Sequence, residues 1–213
     1  MKLLPGPLLL ALCLTLAAVP AAAQTVYDNG PINGNVNGWT INFGFSVSDT
    51  FNVPYNNTTI TGADFGIWLF PGDTLTTAEL SITSNENGGT SYFDQTVNFT
   101  QGSCIPNQFG YNVCQENTIF NGPTFNMGTY WLNLQNASVA NGDPVFWDMN
   151  SGPSSASASS VGTIFSESFT VLGSESSTTT STTTTGTVPE PSGLVLFASG
   201  FFGVTAMLRR KWF

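Results

Sequence analysis

An antiparallel β-sandwich, jelly-roll-like in its strand pattern, is the fold class that three observations predict. Roughly eight to ten short runs of alternating apolar and polar residues fill positions 24–172, each closed by a Gly, Asn or Pro turn. No stretch between the two apolar ends of the chain has a helical period. Seventeen Phe and five Trp in the 213 residues are enough aromatic bulk to fill one core between two sheets.

The chain opens as an export signal. Lys2 is the charged start, Leu8 to Val19 the apolar segment, and Pro20 with Ala21-Ala22-Ala23 the small-residue cleavage site. Residues 1–23 therefore read as a signal peptide for signal peptidase, with the mature chain beginning at Gln24. Residues 24–38 are dense in Asn, Gly and Asp and read as turns. From Trp39 to Ser48 the pattern becomes a strand, with Ile41, Phe43, Phe45 and Val47 on one face. Asp64 to Phe70 is apolar on both faces, as a central strand or one with an exposed aromatic patch would be, and Pro71-Gly72-Asp73 ends it. Ala78, Leu80 and Ile82 alternate with Glu79, Ser81 and Thr83; after the Asn85–Gly89 turn, Phe93, Val97 and Phe99 alternate again.

Shorter strands are expected at Gly110–Val113, Thr118–Phe120 and Thr124–Met127. Gly128 to Asn136 sets Tyr130, Leu132 and Leu134 against Trp131, Asn133 and Gln135. Val145 to Asp148 follows the Asn141-Gly142-Asp143-Pro144 turn, and Thr163 to Leu172 closes the domain with Phe165, Phe169 and Val171 inside. Residues 173–187 contain no apolar side chain and read as a Ser/Thr-rich linker, a composition also suited to O-glycosylation.

Charge excludes more functions than any motif does. The four cationic residues are Lys2, Arg209, Arg210 and Lys211, all in the terminal segments. Thirteen acidic residues less Glu190 leave twelve carboxylates between Gln24 and Thr187, with no Lys, Arg or His among them. Such a domain cannot neutralise phosphates, so nucleic-acid binding is excluded, and anionic membrane surfaces repel it. It cannot assemble a Ser-His-Asp or Cys-His centre or a histidine-based metal site. Carboxylate, hydroxyl, amide and aromatic chemistry remain.

Within that chemistry three sets of residues stand out. Cys104 and Cys114 flank a turn containing Pro106, Asn107 and Gly110, and in an exported chain they are expected to form a disulfide. Asp28 with Asn29, and Asp143 with Asp148 and Asn150, supply oxygen ligands in turns, and one or both are expected to build a structural calcium site. Trp68, Trp131 and Trp147 are candidates for stacking on sugar rings if they face solvent. A glycosidase is the one enzyme class this chemistry leaves open, and it requires two carboxylates facing each other across a cleft.

The C-terminal residues 188–213 have a tripartite order: Val188-Pro189-Glu190-Pro191, an apolar helix over residues 193–208, then Arg209-Arg210-Lys211. Sixteen apolar residues span roughly 24 Å as a helix, slightly less than the hydrocarbon core, and the basic end snorkels to the cytoplasmic side. The tail resembles the PEP-CTERM sorting signal of Gram-negative bacteria. That resemblance implies recognition of Pro189, Glu190 and Pro191 by an exosortase, with Arg209 and Arg210 holding the tail before cleavage. It further implies a transient inner-membrane anchor through the helix and then release to the cell surface or outside. Tyr130-Trp131-Leu132-Asn133-Leu134-Gln135 and the stretch from Val145 to Pro153 resemble cargo domains of other PEP-CTERM proteins, a likeness that adds architecture and no chemistry. The expected function is that of a non-catalytic surface or extracellular-matrix protein, with a carbohydrate-binding module, meeting extracellular polysaccharide, as the alternative.

Overall fold

The computed structural model describes residues 23–175. The expected signal peptide, sorting tail and anchor helix, with residues 176–187 of the linker, lie outside the described residues. In chain order the strands begin with β1 (Gln24–Asp28), β2 (Gly38–Thr40), β3 (Ser46–Val53) and β4 (Thr58–Leu69). Two hairpins follow, β5 (Leu75–Asn85) with β6 (Gly88–Asn98) and β7 (Thr100–Pro106) with β8 (Asn112–Ile119). Next come β9 (Thr124–Phe125), β10 (Gly128–Val139) and β11 (Phe146–Asp148). The described chain closes with β12 (Ala156–Ala158), β13 (Gly162–Ile164) and β14 (Phe169–Glu175).

All pairings are antiparallel, and they build the two sheets of a sandwich. The eight-stranded sheet is organised on β4. One side of β4 bonds β14 and then β11; the other bonds β9 and then β8. β1, β2 and β7 extend this sheet outward from β14, β11 and β8. The six-stranded sheet runs β13-β12-β3-β10-β5-β6. Period-two patterning supplies the core between them: Ala63, Phe65, Ile67 and Leu69 from β4 meet Ala78, Leu80 and Ile82 from β5 and Leu132 and Leu134 from β10. Trp147 and Phe169 pack edge-on in the same core.

Of the two readings left open for Asp64–Phe70, the structure takes the central strand, as part of β4, and its second apolar face is covered. Ile32 lies over Gly66, where a Cβ would come within 2.9 Å of its Cγ1, and Phe109 stacks on Trp68 with ring centroids 5.7 Å apart. Cys104 and Cys114 are directly paired across β7 and β8 and are joined by a disulfide.

Several expected elements differ from the structure. The strand expected over Trp39–Ser48 is broken at residues 41–45, where Phe43 takes φ 57° and Gly44 φ 83°. β2 belongs to the eight-stranded sheet and β3 to the six-stranded one, so the chain crosses the sandwich edge here and leaves Phe43 and Phe45 exposed. The same event splits Thr163–Leu172: β13 and β14 lie in different sheets, and Phe165 is 74% exposed rather than inside. The two short strands expected at Gly110–Val113 and Thr118–Phe120 are one strand, β8. Gln24–Asp28, read as part of a turn region, is β1, and β14 runs to Glu175, pairing Gly173 to Glu175 with β4.

Candidate functional site

Two polar regions distinguish the domain, one sealed at the sandwich edge and one open on a sheet face. The sealed region begins with Asp49, which β3 places on its inward face between Val47 and Phe51. Its Oδ2 accepts the Glu167 backbone N–H at 2.7 Å and the Asn29 amide at 3.2 Å, and its Oδ1 accepts the Thr50 N–H at 2.7 Å. Asn29 also donates to the Ser154 hydroxyl and to the Glu167 carbonyl. Its own carbonyl accepts from Asn150 at 2.8 Å. Gly152 is required beside it, because a Cβ there would overlap the Asn29 carbonyl oxygen.

Burial pushes the Asp49 carboxyl up to about 6, against the lowering effect of its donors. Glu167 is fully buried, and neither of its carboxyl oxygens has a hydrogen-bond partner among the described residues. Burial, reinforced by the charges of Asp49 and Asp148, raises it well above the ordinary carboxylate range. Asp148 lies on the outer side of the eight-stranded sheet beneath residues 29–37 and accepts from the Asn33 and Gly34 N–H groups and from Trp68 Nε1. Burial raises it in spite of those donors. Glu116, shielded on β8, is pushed up to about 7 by burial, opposed by the Gln101 amide.

The five residues of the calcium set do not form one constellation. Asn29 and Asn150 share the sealed network. Asp148 is held separately by its three donors. Asp28 lies at the surface, accepting from Gly30 N–H. Asp143 sits on a different turn beside Asp73. Among the described residues no group of three or more His, Cys, Asp or Glu is disposed to hold a metal ion.

The three tryptophans also separate. Trp147 is 0% exposed and donates to the Ser168 carbonyl in the core, and Trp68 is 5% exposed under Phe109. Neither faces solvent, which corrects their reading as ligand-stacking residues. Trp131 is half-buried on the outer face of β10, in the row that continues through Asn133 and Gln135.

Asn133 and Gln135 of that row, but not Trp131, line the floor of the open region, a groove of about 210 Å³ on the outer face of the six-stranded sheet. The alternation in β5 and β10 turns Glu79, Ser81, Asn133 and Gln135 into it, and the β5–β6 turn brings Asn87 over one end. Asn133 bonds Ser48 and Thr83, locking the floor, while Glu79 accepts from Gln135 and Asn136 at 2.7 Å each. Asp94 pairs opposite Ser81 and its carboxyl reaches that of Glu79. Burial and then the Glu79 charge push Asp94 upward.

Sequence reasoning assigned Glu79 and Ser81 to a solvent face but could not place Asp94 against Glu79, because that needs the β5–β6 register. Asp49 and Glu167 were legible in principle: each carboxylate interrupts an apolar row, Val47-x-Asp49-x-Phe51 and Glu167-x-Phe169-x-Val171.

The domain is thus an all-β sandwich with no nucleophile–histidine centre among its described residues. A family model for the PEP-CTERM protein-sorting motif matches residues 187–211. The chain carries a PEP-CTERM sorting signal, which implies an exported protein, an exosortase as its processing partner and a membrane-anchored intermediate. No curated protein and no solved structure matches the chain.

Proposed function

We propose that the chain is a non-catalytic exported protein, delivered by exosortase processing to the cell surface or extracellular matrix. The observation that carries this reading is the sorting motif over residues 187–211 joined to a domain without Lys, Arg or His. Two placements support the non-catalytic part. Asp49 and Glu167 are sealed from any substrate. Glu79 and Asp94 are accessible, but stand within hydrogen-bond reach of each other. A glycosidase pair instead faces each other across a cleft that admits the glycosidic bond.

Mass spectrometry of the released protein tests the route. The expected product starts at Gln24 and lacks most of residues 190–213. A secreted form ending in Phe213 overturns exosortase cleavage. Neutral replacements of Arg209, Arg210 and Lys211 are expected to impair sorting.

A further inference from the structure

The groove on the six-stranded sheet has a composition that its fold does not require. A solvated sheet face needs only polar side chains. This one assembles two carboxylates, three amides and four hydroxyls around a concave space, with the aromatic ring of Trp131 next along the β10 row, just beyond the lining. Its volume lies below the ~300–1,000 Å³ of a pocket that engulfs a whole small ligand, so it suits one ring of a longer chain lying along the sheet. Carboxylates and side-chain amides match the adjacent hydroxyls of a sugar, and a half-buried indole offers a flat apolar wall for the ring's C–H face. A peptide would find little here, since the lining holds no apolar pocket for its side chains.

Charge narrows the ligand further. No donor among the described residues reaches Asp94, and its carboxyl lies against that of Glu79. The mature domain has no cationic side chain to place between them. An anionic polymer would be repelled by twelve carboxylates, and a neutral one would leave this pair unneutralised. A protonated amine on the sugar meets both carboxyls at once with charge-assisted hydrogen bonds.

We propose that this groove binds a polysaccharide carrying free amino groups, with Glu79 and Asp94 receiving an ammonium, Asn133 and Gln135 presenting the floor, and Trp131 flanking the next ring. The proposal rests on export, which brings the chain to such polymers, but binding is measured on purified protein and is read independently of sorting.

The test is calorimetric titration of the full-length chain, held in a polyoxyethylene rather than a sugar-based detergent, with the β-1,4 tetramer of glucosamine. Saturable binding is expected, weaker with the N-acetylated tetramer and with cellotetraose. Glu79→Gln with Asp94→Asn is expected to lower affinity about tenfold or more, the loss of charge-assisted bonds. Trp131→Ala is expected to weaken it as well. Asp94→Asn alone, at an exposed position, is the variant to read should the double variant fail to fold. Asp28→Asn, on a surface carboxylate outside the groove, is expected to change nothing. Absence of binding overturns the proposal. So does equal binding of cellotetraose, equal weakening by Asp28→Asn, or equal competition by tetralysine, which would mean diffuse charge attraction.

Discussion

Over Trp68 and Asp148 the outer face of the eight-stranded sheet is covered by other parts of the chain, while over β5 and β10 that of the six-stranded sheet is open, although both descend from the same alternating pattern. On the closed side β4 carries Trp68 outward and β11 carries Phe146 and Asp148. Residues 29–37 and the β7–β8 turn fold down to cover them. On the open side β5 and β10 carry Glu79, Ser81, Asn133 and Gln135, which water can solvate. An apolar residue at an outward position obliges the chain to build a cover; a polar one leaves the face free for a partner. The carboxylates follow the same division. Asp49 and Asp148 are satisfied by backbone donors and Glu167 is buried without a partner, whereas Glu79 and Asp94 share the open groove.

The largest effect is expected in the core on which both faces rest. Trp147→Ala removes a fully buried indole that packs on Phe65 and Phe169, and a loss of about 3–5 kcal/mol is expected. Guanidinium unfolding of the processed protein measures it, and a loss under 1 kcal/mol would contradict the packing described. Next in size is the staple of the cover. Replacing Cys104 and Cys114 by Ser is expected to destabilise by about 2–3 kcal/mol and to loosen Phe109 over Trp68, with a red shift in tryptophan emission. Free alkylation of both thiols without reductant would show the bridge to be absent in solution.

The buried carboxylates make a pH test of the same contrast. Asp49 rises from 3.8 to about 6 and Glu116 from 4.5 to about 7, so the folded state binds more protons than the unfolded one between those limits. Their stabilisation is complete below the unfolded values and is lost as pH rises through the folded ones. The unfolding free energy, and the thermal midpoint with it, is therefore expected to fall from about pH 4 to pH 7, by on the order of several kcal/mol. Asp49→Asn and Glu116→Gln are expected to flatten the profile. A midpoint that climbs over this range would reverse the argument. The smallest effect belongs to the open face: Asp94→Asn is expected to change stability by less than about 0.5 kcal/mol, since its neighbours are solvent and one like charge. A larger loss would show that the groove is structural rather than free.

Much of the fold was legible from residue order. Alternation in 78–83 and 130–135 identified β5 and β10 and their inward faces, and the two-faced apolar run at 64–70 marked the central strand. The disulfide followed from export and a turn-rich spacing, and the address from the tail. The misreadings have one cause. Period two records which side of a strand is apolar but not which sheet the strand joins. Trp39–Ser48 and Thr163–Leu172 each keep their alternation while the chain crosses from one sheet to the other, so Phe43, Phe45 and Phe165 fall outside the core that the pattern assigned them.

Local order along this chain determined an exported all-β domain without a cationic side chain, because composition and alternation are properties of neighbours in sequence. Which carboxylates are sealed with Asn29 and which lie open on the six-stranded sheet was decided by register and by the cover that residues 29–37 fold over β4. These depend on pairings between residues far apart in sequence. Asp49 with Glu167 is 118 positions apart, and only closing the sandwich sets the dielectric and the donors each one meets.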